Sequence, residues 1–94
     1  MTPEKIQDVI RIYRAKLEDL QIEKNSYPHD EFLDNRRNGL GHCNAMLDKI
    51  EGFIKEGRTD KVYRWLGFIQ GVLWSQRIYT LNSLMSHNRP DPKP

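Results

Sequence analysis

Ninety-four residues are one domain's worth of chain, and folding at that length buries roughly 60–65% of the surface an unfolded chain exposes, so the core alone gives marginal stability. Fifteen Lys and Arg against thirteen Asp and Glu leave a net charge of +2, with the signs interspersed and Arg36-Arg37 the only basic doublet. That distribution argues against a phosphate-backbone binder, and the single cysteine, Cys43, excludes an internal disulfide and fits a reducing compartment.

Thr2-Pro3-Glu4 reads as a helix start: a hydroxyl to cap, a proline tolerated at the first helical position, and a carboxylate at the positive end of the dipole. Ile6, Ile10, Tyr13, Leu17 and Leu20 follow at 4-3-4-3 spacing, with Val9 and Ile12 widening the stripe, which predicts a helix over 3–22. Asn25-Ser26 and Pro28 break the pattern. A second helix is expected from about Asp30, its cap, with Phe32, Leu33, Leu40, Cys43, Met46, Leu47, Ile50, Phe53 and Ile54 as the apolar face. Gly39 and Gly41 predict a kink or a division within it, since each glycine costs about 1 kcal/mol relative to alanine.

Gly57 suits the position just past a helix end, and Thr59-Asp60 opens a third helix running to about residue 78. Thr80 reads as the cap of a short last helix, Leu81 to His87, so the domain is expected over 1–87 with a Pro-rich tail over 88–94. The fold class expected is all-α: a helical hairpin or three-helix bundle with a short C-terminal helix, in an oligomer.

The third helix is the most informative. Val62, Trp65, Leu66, Ile69, Val72 and Leu73 form a core face, while Tyr63, Gly67, Gln70, Trp74 and Arg77 form a second, mixed stripe. Phe68 belongs to neither, so the helix is apolar on more than one side. Covering by a second copy is one explanation, with Gly67, Phe68 and Gly71 as the interface and the Gly67-x-x-x-Gly71 spacing permitting close approach. The mixed stripe has two readings. Tyr63 and Trp74 could stack on a planar group while Gln70 hydrogen-bonds and Arg77 meets an anion, which is what a nucleotide-like ligand needs. Alternatively, the same residues are amphipathic packing at a helix interface.

Catalytic and metal chemistry find little footing. His42 and Cys43 are adjacent and so point about 100° apart on a helix, unlike the i, i+4 pair of a zinc helix. His29-Asp30-Glu31 do not converge readily as ligands, His87 stands alone, and Cys43 lies on an apolar stripe where a thiol is inert. Gly39-Leu40-Gly41 lacks the preceding strand and following Gly-Lys of a phosphate loop. No enzyme activity, metal or cofactor is expected. The longest mostly apolar stretch, Trp65 to Trp74, is far short of the ~20 residues a membrane span requires, and Met1 to Lys5 carries no apolar signal core, so no membrane partner and a cytoplasmic location are expected.

The segment Arg64-Trp65-Leu66-Gly67-Phe68-Ile69-Gln70-Gly71-Val72-Leu73-Trp74, with Ile78-Tyr79-Thr80 and His87-Asn88-Arg89-Pro90, resembles a group of short phage and prophage proteins, over the chain from about Cys43 onward. The resemblance implies a phage-type accessory protein working in a host cytoplasm by occupancy: it oligomerises and binds a host factor, in the sharper version sequestering a nucleotide-type immune signal. In size and type it is similar to the anti-CBASS and anti-Thoeris sponge proteins, an analogy only. A protein–protein inhibitor of a host enzyme or defence complex is the alternative, and a DNA-binding regulator a weaker third.

Overall fold

The computed structural model describes residues 1–90, and Asp91, Pro92, Lys93 and Pro94, the end of the expected tail, lie outside them. Among the described residues the protein is all-helical, with no strand: α1 (Pro3–Asp19), α2 (Arg36–Lys55), α3 (Thr59–Ser75) and α4 (Leu81–Asn88). None of these helices is long and apolar enough to cross a membrane.

The caps set most of the boundaries. Thr2 accepts from the Lys5 amide at 3.1 Å with Pro3 in the first turn, and Thr80 accepts from the Ser83 amide at 3.1 Å. Three helices end on the same device. In each, one residue turns left-handed and the amide after it bonds back five residues: Gln21 (φ 57°) with Ile22 to Leu17, Gly57 (φ 73°) with Arg58 to Phe53, and Arg77 (φ 63°) with Ile78 to Leu73. Gly57 follows expectation, because only glycine adopts this conformation without strain. At the other two ends the apolar residue after the turn, Ile22 or Ile78, takes over the role of signal by packing on the core. This is why α1 stops at Asp19 rather than at 22, and α3 at Ser75 rather than near 78. At the other end of the chain Asn88 is helical rather than the first residue of the tail.

The largest departure lies between α1 and α2. The second helix begins at Arg36, capped by Asn35, whose side chain accepts from the Asn38 amide at 2.9 Å; Asp30 caps nothing. Residues 23–35 instead form a strap along α2 without regular secondary structure, turning at residues 29–31. Phe32 and Leu33, expected on the apolar face of α2, are 98% and 51% exposed, and Ile12 is exposed as well. Gly39 and Gly41 do not divide α2, which runs unbroken from Arg36 to Lys55. A Cβ on Gly41 would sit 2.7 Å from the Glu23 carbonyl oxygen and 3.1 Å from Asn25 Cβ, so the glycine lets the strap backbone lie directly on the helix. The Asn25 amide then donates to the Gly41 carbonyl at 3.0 Å, and the buried Asn44 side chain donates to the Ile22 carbonyl at 3.0 Å.

The core is built from one face of each helix: Ile6, Val9, Ile10, Tyr13 and Leu17 of α1, Leu40, Cys43, Leu47 and Ile50 of α2, and Val62, Leu66, Ile69 and Leu73 of α3. α2 and α3 pack along each other, α1 packs on α2, and α4 rests on α1 and α3. Phe53 and Trp65 close one end of the α2–α3 pair edge to face at 4.9 Å, with the Lys61 ammonium over both rings.

Candidate functional site

The mixed stripe of α3 divides into an inward part and an outward part. The Tyr63 hydroxyl donates to the Met1 carbonyl at 2.7 Å. Gln70 is drawn into a polar knot: its amide nitrogen donates to the Tyr13 hydroxyl at 2.9 Å and to Asn88 Oδ1 at 2.7 Å, while its oxygen accepts from Asn88 Nδ2 at 3.2 Å. Tyr13 also shares a 3.1 Å hydrogen bond with His87 Nδ1, and its ring meets those of Tyr79 and His87. Burial, only partly offset by the Gln70 hydrogen bond, pushes the Tyr13 pKa up to about 12, so this fully buried phenol stays neutral. No buried side-chain polar atom among the described residues lacks a partner. Gln70 therefore fastens α4 to α1 and α3 and presents little to a ligand. Trp74, 52% exposed, and Arg77 stay together in solvent, bordering a shallow recess of about 570 Å³ with Tyr79 and Thr80.

The expected interface residues face outward. Phe68 is 54% exposed, and nothing lies within 4 Å of where a Cβ would stand on Gly67 or Gly71. Within the chain the two glycines thus leave open space on the surface of α3.

The strap, α2 and α3 together form a groove that the sequence reading missed. Its centre is His42. The Tyr27 amide donates to His42 Nδ1 at 2.9 Å, so the proton of the neutral ring sits on Nε2. His29 of the strap meets His42 edge to face at 6.4 Å, and Phe68 of α3 does so at 6.5 Å. Burial lowers the His42 pKa, with further lowering from His29 and Lys49. Two adjoining hollows of about 360 and 390 Å³ share these three rings. The first holds Met46 and Trp65 beside Lys49 and Arg64; the second holds Leu33, Val72 and Tyr27 beside Glu31. One end of the groove is thus basic, and its middle is apolar and aromatic.

This arrangement is suited to binding. The Cys43 thiol is buried, and desolvation pushes its pKa up to about 12, the opposite of an activated nucleophile. Among the described residues no three His, Cys, Asp or Glu side chains converge as a metal site. The one signal that could have revealed the groove was Gly41 with Asn44 on an otherwise apolar helix face. A small residue and a buried amide there mark a place where backbone, rather than a side chain, packs. Compared with protein-family models, curated proteins and solved structures, the chain matches none.

Proposed function

We propose that this chain is a non-enzymatic, phage-type accessory protein that self-associates and acts by occupancy, binding a host factor on the face shared by the strap and α3. One observation carries the reading: Leu33 and Phe68, 51% and 54% exposed, line one groove together with Tyr27, His42 and Val72. Scattered exposed apolar residues are ordinary on a soluble protein, but aromatic and aliphatic side chains grouped around a concavity mark an interaction surface. Light scattering of the full chain at micromolar concentration tests the self-association: an assembly is expected, and a monomer would count against it.

Sequestration of a nucleotide-type signal is a second reading, favoured by Trp74 and Arg77 bordering the same recess. It expects a thermal shift with one class of nucleotide, reduced in Arg77→Ala with the fold intact. A large fall in melting temperature and assembly mass in Arg77→Ala, with no stabilising nucleotide, would assign these residues to an interface instead.

A further inference from the structure

We infer that the groove at His42 is a small-molecule site for a planar aromatic ligand with one anionic group, which sits in the hollow lined by Lys49 and Arg64. This deepens the occupancy reading of the face shared by the strap and α3, and rests on it. The two hollows, about 360 and 390 Å³, each fall within the roughly 300–1,000 Å³ of small-molecule sites, and they share the rings of His29, His42 and Phe68.

Charge divides the groove. Lys49 and Arg64 line the first hollow, no acid does, and neither basic side chain has an ion pair or hydrogen bond among the described residues. Glu31 lines the second, which has no Lys or Arg. An anionic group is therefore stabilised at one end and repelled at the other, so the ligand that fits carries its charge at one end only.

A fixed donor stands where the hollows meet. Because the Tyr27 amide donates to His42 Nδ1, the neutral ring carries its proton on Nε2. That N–H finds no partner among the described residues, and no buried side-chain nitrogen among them is left unpartnered, so it is reachable from solvent. The strap thus sets which hydrogen-bonding edge the ring offers a ligand. Ring surface is fixed in advance as well. Trp65, which lines the first hollow above buried Met46, is braced edge to face on Phe53 at 4.9 Å, while Leu33 and Val72 give the second hollow its apolar wall. Aromatic surface that is already held loses little freedom when a planar ligand packs on it.

Titration of the isotope-labelled full chain with 2-naphthoate, followed by NMR, tests the proposal. Saturable shifts are expected at the His42, Lys49, Trp65 and Phe68 amides, with a Kd on the order of 1 mM or tighter. The neutral 2-naphthamide and the ringless acetate should each bind about tenfold more weakly or worse, as should naphthalene-2,6-dicarboxylate, whose second carboxylate meets Glu31. Lys49→Gln/Arg64→Gln alters two exposed side chains, so it should keep the melting temperature and weaken 2-naphthoate about tenfold or more. Glu31→Gln should bring the dicarboxylate close to 2-naphthoate. If 2-naphthamide binds as tightly as 2-naphthoate, or the double variant binds as the wild type does, the anionic group is overturned. No shift in the groove, or shifts confined to Trp74 and Arg77, overturns the site itself. Groove amides that then move on dilution of the protein alone keep this face as a contact surface, whereas amides indifferent to probe and dilution alike remove the occupancy reading too.

Discussion

Gly41→Ala adds one methyl group where the strap crosses α2, and its effect can be worked out from the neighbours. In an open helical position the change gains about 1 kcal/mol through helix propensity. At Gly41 the new Cβ would stand 2.7 Å from the Glu23 carbonyl oxygen and 3.1 Å from Asn25 Cβ. A backbone oxygen cannot swing aside as the tip of a long side chain can, so the strap must move. Overpacking of this kind costs about 1–3 kcal/mol, and loss of the Asn25-to-Gly41 hydrogen bond adds about 1 kcal/mol. The net expectation is a destabilisation of about 1–3 kcal/mol once the propensity gain is subtracted. Gly52, on the same helix with nothing within 4 Å of a Cβ, is the internal control and should gain about 1 kcal/mol as alanine. Urea unfolding followed by circular dichroism measures both, and hydrogen exchange at the Asn25 and Tyr27 amides reports whether the strap has lifted. If Gly41→Ala stabilises as much as Gly52→Ala and those amides stay protected, the strap does not lie on α2 as described.

Three further outcomes are expected. Gln70→Leu removes the partner of Asn88 and one of those of Tyr13, and should cost about 1–3 kcal/mol, with loss of amide protection concentrated in α4. Gln21→Gly and Arg77→Gly relieve left-handed backbone at two helix ends and should each raise stability by up to about 1 kcal/mol in thermal unfolding, whereas Arg77→Ala should not. The imidazoles set an acid-side loss: His42 and His87 both have pKa values lowered from 6.5, chiefly by burial, so the unfolded chain takes up protons first. Stability is then full above pH 6.5 and falls as the pH drops through that value toward the folded ones, and His42→Gln with His87→Gln should flatten this step. A separate loss belongs below pH 3.8, where Asp48, held down by Lys24 and Arg14, becomes protonated.

What could be read in advance divides along local and distant interactions. α1, α3 and α4 were legible because Thr2 and Thr80 cap within three residues and the core faces repeat at helical spacing. Phe32 and Leu33 misled because, by type and position, they extend the apolar series of α2 backwards, whereas Pro28 and the Asn35 cap keep them out of it. The fate of Gln70 was equally hidden. Its position on the Tyr63–Trp74 face could be read from spacing, but the Asn88 and Tyr13 groups that claim it come from other helices. The groove depends on the strap and so was unreadable for the same reason, although Phe68 and His42 each stand out singly in the sequence.

The attachment of α4 has a thermodynamic consequence. Among the described residues this helix buries a single apolar side chain, Leu84, and is held besides by the amide pair of Gln70 and Asn88 and by His87, which hydrogen-bonds Tyr13 and packs on the Tyr13 and Tyr79 rings. Detaching it would hydrate mostly polar groups, so the step should carry little heat-capacity change and depend only weakly on denaturant. Opening of α1, α2 and α3 uncovers the main core and must depend steeply on both. Hydrogen exchange measured over a range of low urea concentrations should therefore resolve two classes of amide. Those of α4 should exchange at rates nearly indifferent to urea, while those of the other three helices accelerate together.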